Sequence, residues 1–581
     1  MDGGDRQRFN MRARLVLAML LIGLTAAAAR VAHLQINRHE QLARLAREEY
    51  LKDVRIPARR GQITDRHGRP LAQSVDVPSV FANPSQIDDP RRAARVLATK
   101  LDMNLDTVYQ RLASDRLFVW LKRQVTPAMA AEIRALGLSG VDITKESRRY
   151  YPNREVGAHI VGFCGVDARG LEGIERQFDK ELTGEPQVVT AIRDALGNAV
   201  LEAGVDEDGR TSGADVTLTL DLQLQHAAQV AVRRARQKHS ARSAMAVVLD
   251  VETADVLAAA VAPGFNPNEA SSAPADHRRN RIITDMFEPA STLKPLVVAA
   301  ALDAGVIEPD SKIFCENGAM AIGSHTIHDT KAHGWLTLTG IIARSSNIGA
   351  AKIGLALGRE QLADAFGAYG FGVRTGVEFP GETRGSLRDP ATWSRVGTAT
   401  IAFGHGVAVS LLQLAAAHRV LAAGGEYLPP RIVLSIDASN GRRRALRTRV
   451  GRRVLRVETT RRVTRMMEAA VGPDGTARRG AVAGYRVAGK TGTAQKIDPV
   501  AGGYSSDAHV AVFVGFLPAE APRVVIAVAV DEPTGAVHGG GSVAGPVFAE
   551  IGEAAMRYLG VIPSGRLTKR AAAPVPVEPV V

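Results

Sequence analysis

Residues 509–530 read HVAVFVGFLPAEAPRVVIAVAV. Two β-rich runs, His509–Phe516 and Arg523–Val530, flank Pro518 and Pro522, and this pattern predicts an antiparallel hairpin. Ala244–Asp250 and Val256–Val261, parted by a short polar turn, predict a second one. A long Ala-rich helical stretch follows Ser291, between the two pairs. Strands at both ends with helices between them give an α+β layout, an antiparallel sheet with a helical insert. Val216-Thr-Leu-Thr-Leu220 alternates like a strand and is expected to open this region. From Ile56 to about Gly213 the pattern is of mixed strands and helices rich in turns, with no internal repeat.

The chain has 581 residues, which at ~150 residues per domain suggests two to four domains. An apolar fraction of 45% and a charged fraction of 23% belong to a folded protein. Net charge is +13, and the densest basic run lies between Arg442 and Arg465. No aromatic is interleaved there, so base stacking is unsupported and no nucleic-acid partner is expected. A solvated surface is favoured over an anionic lipid or cell-wall partner. Cys164 and Cys315 are too few for a structural metal site of the cysteine type, and a disulfide between them is not expected.

Leu15–Ala29 carries no charge, and its length as a helix is ~22 Å. Continued past Arg30 to Ile36 it reaches ~33 Å, enough for a ~30 Å hydrocarbon core, with Arg30 snorkelling toward the far interface. Arg6, Arg8, Arg12 and Arg14 mark the cytoplasmic side. A signal peptide cleaved near Ala26–Ala29 is the rival reading, and an uncleaved anchor is favoured. Either way the bulk of the chain is exported. Residues 37–60 read as a polar helical stalk, and Pro563–Val581 as a disordered tail rich in Pro, Ala and Val.

Three short motifs occur in order. Ser291-Thr-Leu-Lys294 puts a hydroxyl and an amine on one helix face, so that the amine can take the hydroxyl proton. Pro289 and Pro295 bracket it and place Ser291 at or near a helix N-terminus, where backbone N–H groups favour developing negative charge. Ser345-Ser346-Asn347 precedes the helical Ile348–Leu357. A serine there can relay a proton and the Asn amide can hold a substrate amide, although in isolation helix capping by Ser or Asn is the favoured reading of such a tripeptide. Lys490-Thr491-Gly492-Thr493 reads as an edge strand. Gly492 would let a substrate backbone approach, and Lys490, Thr491 and Thr493 can bind a carboxylate. Gly484-Tyr-Arg-Val-Ala-Gly489-Lys490-Thr491 also fits a phosphate loop literally, but a flexible polar stretch follows it and not the helix that loop requires. The cluster His325, His328, Asp329 and His333 matches no standard zinc spacing. It is expected to be a structural or cleft-lining loop, with no metal and no cofactor.

Ser-x-x-Lys, Ser-x-Asn and Lys-Thr-Gly in this order resemble the signature of β-lactamases and penicillin-binding proteins. Arg60-Gly-Gln-Ile-Thr-Asp-Arg-His-Gly68 with Pro70-Leu-Ala72 resembles the segment opening the pedestal of class B penicillin-binding proteins, and Gly170-Leu-Glu-Gly-Ile-Glu-Arg-Gln-Phe-Asp179 another of their hallmarks. Ser345-Ser-Asn-Ile-Gly349, Phe403-Gly-His-Gly406, Phe513-Val-Gly-Phe516 and Asp531-Glu-Pro533 look most like the cell-division transpeptidase of the FtsI type. Elongation-type relatives usually carry Ser-x-Asp-x-x-Phe at the second motif. His405 stands where the family commonly has tyrosine.

The resemblance implies a cytoplasmic tail (1–14), a transmembrane anchor (15–36), a pedestal domain of the dimerisation type (37–215), a transpeptidase domain (216–562) and a tail (563–581). The transpeptidase fold it implies is a five-stranded antiparallel sheet flanked by helices, with an all-helical subdomain. It also implies Ser291 as nucleophile on the D-Ala–D-Ala amide of a stem peptide, Lys294 as base and Ser345 as proton relay. Asn347, Lys490, Thr491, Gly492 and Thr493 would bind the substrate, and the N–H groups of Ser291 and Thr493 would form the oxyanion hole. β-Lactams, an FtsW-type lipid-II polymerase and other divisome proteins are the implied partners, at the septal inner membrane. Rival readings are an elongation-type transpeptidase, a D,D-carboxypeptidase, a β-lactamase and a catalytically silent penicillin sensor.

Overall fold

The structure is a computed structural model that describes residues 3–42, 44, 51–56, 58–185, 187–193, 199–200, 212–438, 441–444, 446, 448–497, 502–535 and 538–563. All but the first residue of the Pro-rich tail lies outside these. The chain divides into two compact units, Met1–Arg59 with Gly184–Ser212, and Arg60–Thr183 with Gly213–Val581.

In the first unit, helix α1 (Gly3–Ala32) runs on through a π-helical turn at His33–Asn37. Phe9–Asn37, whose most apolar 18-residue window has a mean hydropathy of 2.2, is long and apolar enough to cross a membrane. The polar stalk expected to follow is in part extended: Leu51–Ile56 pairs antiparallel with Gln187–Arg193, which pairs with Ala199–Val200. The partner segment Gln187–Arg193 carries four β-branched residues in its sequence, a composition that favours a strand over a helix.

The second unit holds two large sheets. One has the strand order Arg443–Arg444, Val433–Asp437, Asp215–Leu218, Ile63–Thr64, Pro70–Ala82, Val119–Lys122, with Val141–Tyr150 also paired to Pro70–Ala82. The alternating run at Val216 therefore does not open the catalytic sheet. It lies between Ile63–Thr64, which it pairs in parallel, and Val433–Asp437, which it pairs antiparallel. A small separate core of Val80, Leu97, Leu101, Val108, Leu112, Leu121 and Ile133 fills the part far from the catalytic sheet. Nearer to it, Glu175 is fully buried and accepts from Arg60 Nε at 2.8 Å and Arg149 Nε at 2.6 Å.

The catalytic part begins with α2 (Leu222–Lys238), β1 (Ser243–Asp250) and β2 (Val256–Ala262). Then come the helices α3 (Lys294–Asp303), α4 (Leu338–Arg344), α5 (Asn347–Leu357), α6 (Leu411–Ala422) and α7 (Val457–Val471). β3 (Ala488–Ile497), β4 (Tyr504–Leu517), β5 (Val524–Asp531) and α8 (Gly540–Tyr558) complete it. The sheet order is β2-β1-β5-β4-β3, antiparallel throughout. Helices α2 and α8 pack together and against the sheet, and α6 packs against β1, β4 and β5. Burial on both faces explains why β1 from Ala244 to Leu249 and β5 from Val524 to Val530 are continuously apolar and do not alternate.

The basic run is largely spent on the protein itself. Arg443 pairs with Asp437, Arg444 with Glu181 and Arg462 with Glu458. Arg449, Arg452 and Arg453 donate to carbonyls of neighbouring loops, and Arg456 to those of Leu302 and Asp303. Guanidiniums used this way cap loop ends, a role that composition alone does not reveal.

Candidate active site

Pro289 cannot donate a backbone hydrogen bond, and the chain turns there into a single 3₁₀ turn, Ala290–Leu293, that feeds α3. The turn is tight: Thr292 Oγ1 donates to the Pro289 carbonyl at 2.6 Å. Ala290 sits at φ +49°, a left-handed conformation that a Cβ disfavours. The strain is held by Gly404, whose carbonyl accepts the Ala290 N–H at 3.1 Å. A Cβ on Gly404 would stand 2.1 Å from the Ala290 carbonyl oxygen, so only glycine fits there. Ser291 is half-buried at this elbow.

Lys294, one turn on, is fully buried. Its Nζ donates to the Ser345 carbonyl (2.6 Å), Ser345 Oγ (3.2 Å) and Asn347 Oδ1 (2.8 Å). Lys490 Nζ reaches the same Ser345 Oγ from the opposite wall at 3.0 Å. The two amines thus share one hydroxyl. Burial, and then the charge of Lys490, hold Lys294 well below the ordinary lysine range. Burial pushes Lys490 down to about 7.

Ser345 and Asn347 point at Lys294 because the turn between α4 and α5 is pinned. Ser345 is the left-handed C-cap of α4 (φ +62°), and Ser346 is the N-cap of α5, accepting from the Gly349 N–H at 2.9 Å. The capping reading of the tripeptide is therefore right for its middle residue, and the outer two are left to face the cleft. Asp329 binds the Ser346 hydroxyl (2.6 Å) and the N–H groups of Asn347 and Ile348. The His328 carbonyl takes the Asn347 amide N–H at 2.9 Å, which leaves Oδ1 for Lys294. So the segment with three histidines contributes an aspartate and a carbonyl. Among the described residues no cluster of His, Cys, Asp and Glu is arranged to hold a metal ion. Asp329→Asn weakens charge-assisted bonds to two helix N–H groups. We expect fluorescent-penicillin labelling to slow about 10-fold, equivalent to about 1.4 kcal/mol, within the range for one bond to a charged group. A labelling rate equal to wild type would show that the turn holds without the charge.

β3 is the edge strand that carries Lys490, Thr491, Gly492 and Thr493. Gly489, Lys490 and Thr491 lie inside this strand and not at the start of a helix, which removes the phosphate-loop reading. A Cβ on Gly492 would stand 2.8 Å from the Pro289 carbonyl oxygen and 3.0 Å from Thr292 Cγ2. The missing side chain of Gly492 therefore makes room for the Pro289–Thr292 turn that carries Ser291. Thr493 is exposed, and its Oγ1 accepts the Gly540 N–H at 3.0 Å, tying the strand to the start of α8. Thr491 Oγ1 donates to Thr476 Oγ1 at 3.4 Å.

A buried lysine of depressed basicity beside an elbow serine, with a second lysine on a facing edge strand, is a layout for forming and resolving a serine ester. It defines the class as a serine acyltransferase. The model of the penicillin binding protein transpeptidase domain matches residues 244–553, and that of the penicillin-binding protein dimerisation domain residues 55–218. The probable peptidoglycan D,D-transpeptidase PenA of Neisseria meningitidis is 36% identical over 97% of this chain and 95% of its own length. The peptidoglycan D,D-transpeptidase FtsI of Escherichia coli is 35% identical over 96% of this chain and 93% of its own. Penicillin binding protein 3 of Mycobacterium tuberculosis, solved with aztreonam, superposes with a TM-score of 0.69 at 28% identity, covering 88% of this chain and 99% of that one. The chain belongs to the class B penicillin-binding proteins and is a peptidoglycan D,D-transpeptidase.

Proposed function

We propose that this enzyme cross-links stem peptides during septal wall synthesis, with Ser291 as nucleophile. The observation that carries the assignment of roles is the shared Ser345 hydroxyl, bonded by Lys294 on one side and Lys490 on the other. Ser291 attacks the D-Ala–D-Ala amide and Lys294 takes its proton. Ser345 passes that proton to the departing D-Ala, and Asn347 orients the peptide. Lys490, Thr491 and Thr493 hold the terminal carboxylate. An amine of a second stem then resolves the ester. β-Lactams imitate the donor and leave Ser291 acylated.

Asn347 and Gly349 in the second motif support the septal branch over the elongation branch. α1, with Arg6, Arg8, Arg12 and Arg14 at its start, supports an anchor whose catalytic part lies outside the cytoplasmic membrane. An FtsW-type polymerase and other divisome proteins are the partners this reading assigns. Purified protein given lipid-linked pentapeptide polymer should release D-Ala and form dimeric stem peptides in step. D-Ala release without dimers would make it a carboxypeptidase. Depletion should produce filaments, and round cells that still divide would sink the septal assignment.

The two lysines set the pH profile. Lys294 must be neutral to accept a proton, so acylation rises with pH through its depressed pKa. Lys490 must be charged to hold a carboxylate, so affinity falls as pH passes about 7. A bell is expected for the acylation rate, and Lys490→Arg, which keeps its charge, should move the alkaline limb upward. An alkaline limb unmoved in that variant would assign it to another group.

A further inference from the structure

The roles above leave His405 unused. Its ring lies 5.4 Å from that of Phe403 and 5.4 Å from that of Tyr504. Its neighbours in sequence grip the segment that leads into the nucleophile. Gly404 accepts the Ala290 N–H, and the Gly406 N–H donates to Glu288 Oε1 at 2.8 Å. The Tyr504 hydroxyl closes the group by donating to Glu288 at 3.0 Å. Half-buried His405 thus sits between the two glycines that hold the Glu288–Ser291 segment, beside Tyr504 and within the electrostatic reach of Glu288 and Lys294. The Arg388 guanidinium lies by Gly406. Among the described residues neither ring nitrogen of His405 has a protein hydrogen-bond partner.

The second half of transpeptidation has a requirement that the first does not. Its nucleophile is an amine, which arrives protonated and cannot attack until it loses a proton. Lys490, when charged to hold the carboxylate, already puts positive charge on the other wall, so it repels an ammonium. The carboxylate of Glu288 attracts one. We propose that Glu288 and His405 form the acceptor site of this enzyme, Glu288 drawing in the ammonium and His405 taking its proton.

This rests on the reading of Ser291 as the acylated residue. The imidazole removes one proton from the ammonium and later returns it to water. The freed lone pair of the nitrogen forms the new C–N bond at the ester carbon as the bond from that carbon to Ser291 Oγ breaks. The amine's second proton reaches Oγ through Lys294, which restores the free serine. Burial outweighs the attraction of Glu288 and holds His405 below the ordinary imidazole range, so it is neutral and able to accept a proton at neutral pH.

The test follows the partition of the acyl-enzyme in the full-length protein in detergent. A thioester donor ending in D-alanyl-thioglycolate is supplied with D-alanine as the amine, and the ratio of aminolysis to hydrolysis is read against pH. In wild type the ratio falls in acid, with an inflection below the ordinary imidazole range. In His405→Gln the ratio at neutral pH drops about 10-fold or more, the lower range for general-base catalysis, and its pH dependence follows the titration of D-alanine. His405→Tyr restores an aromatic wall without a base, and the ratio stays low. Glu288→Gln raises the KM for D-alanine more than it lowers kcat. A wild-type ratio and inflection in His405→Gln, or recovery in His405→Tyr, overturns the proposal. Wild type that forms no acyl-enzyme, or Ser291→Ala that still forms one, overturns it together with the reading beneath it.

Discussion

Ser291→Ala abolishes covalent labelling by a fluorescent penicillin, and Lys294→Ala slows it by about 10³-fold, within the range for removal of a positioned general base. The reasoning is geometric. Lys294 is fully buried, its amine engages both Ser345 and Asn347, and burial with Lys490 favours its neutral form. Removing it takes away the proposed base and also leaves the Ser345 carbonyl and Asn347 Oδ1 without this donor. Gel fluorescence against time, at several penicillin concentrations, gives the second-order rate. A stable band in Ser291→Ala would place the nucleophile elsewhere. A loss below 10-fold in Lys294→Ala would make Lys490 or Ser345 the base. Circular dichroism checks that each variant is folded.

Glu175→Ala should be the most damaging change outside the cleft, destabilising the fold by about 3–5 kcal/mol, as for a buried ion pair that loses one partner. Glu175 is the only carboxylate bonded to both Arg60 and Arg149 among the described residues. Both guanidiniums are buried, and Arg149 Nη2 already lacks a partner. Arg60 keeps Asp179 at 2.7 Å, whereas Arg149 is left with a carbonyl of Gly61 at 2.7 Å and weaker contacts. Burial opposes the charge of Glu175, but Arg149 and Arg60 outweigh it and hold the carboxyl below its ordinary range. A depressed carboxyl stabilises the fold above its unfolded value and stops doing so as pH falls through the folded one. The difference between variant and wild type should therefore shrink in acid. Urea midpoints at neutral and acid pH measure both, and a loss below 1 kcal/mol at neutral pH would show that water takes the place of the carboxylate.

Much of the fold was legible in the sequence. The two hairpins appear where the β-rich runs stood, since strands buried on both faces leave long apolar runs. The three motifs were legible because each is a short run with fixed spacing, and the fold brings Lys294, Ser345, Asn347 and Lys490 together. What escaped depends on contacts between distant segments. Asp329 looked like one member of a histidine-rich loop, and nothing local shows that it caps a helix that starts at Asn347. That Gly492 also packs against the Pro289–Thr292 turn was not legible, because a sequence cannot say which neighbour lies beside a missing Cβ. Val216–Leu220 alternates correctly for a strand, but alternation names no partner. The Glu288–Tyr504 contact joins residues that share no motif.

The placement of Asp215–Leu218 has a mechanical meaning. This short strand is a beam common to both parts of the larger unit: one edge is laddered to Ile63–Thr64, the other to Val433–Asp437. Just past it, the Thr219 N–H binds the Ile432 carbonyl, and the Val256 N–H at the start of β2 binds that of Arg431. A pull along these strands loads several ladder bonds in shear at once, whereas a pull across them opens the bonds one after another. The joint is therefore stiff along the strands and weaker across them, so force applied along them at the pedestal reaches the catalytic sheet with little slack.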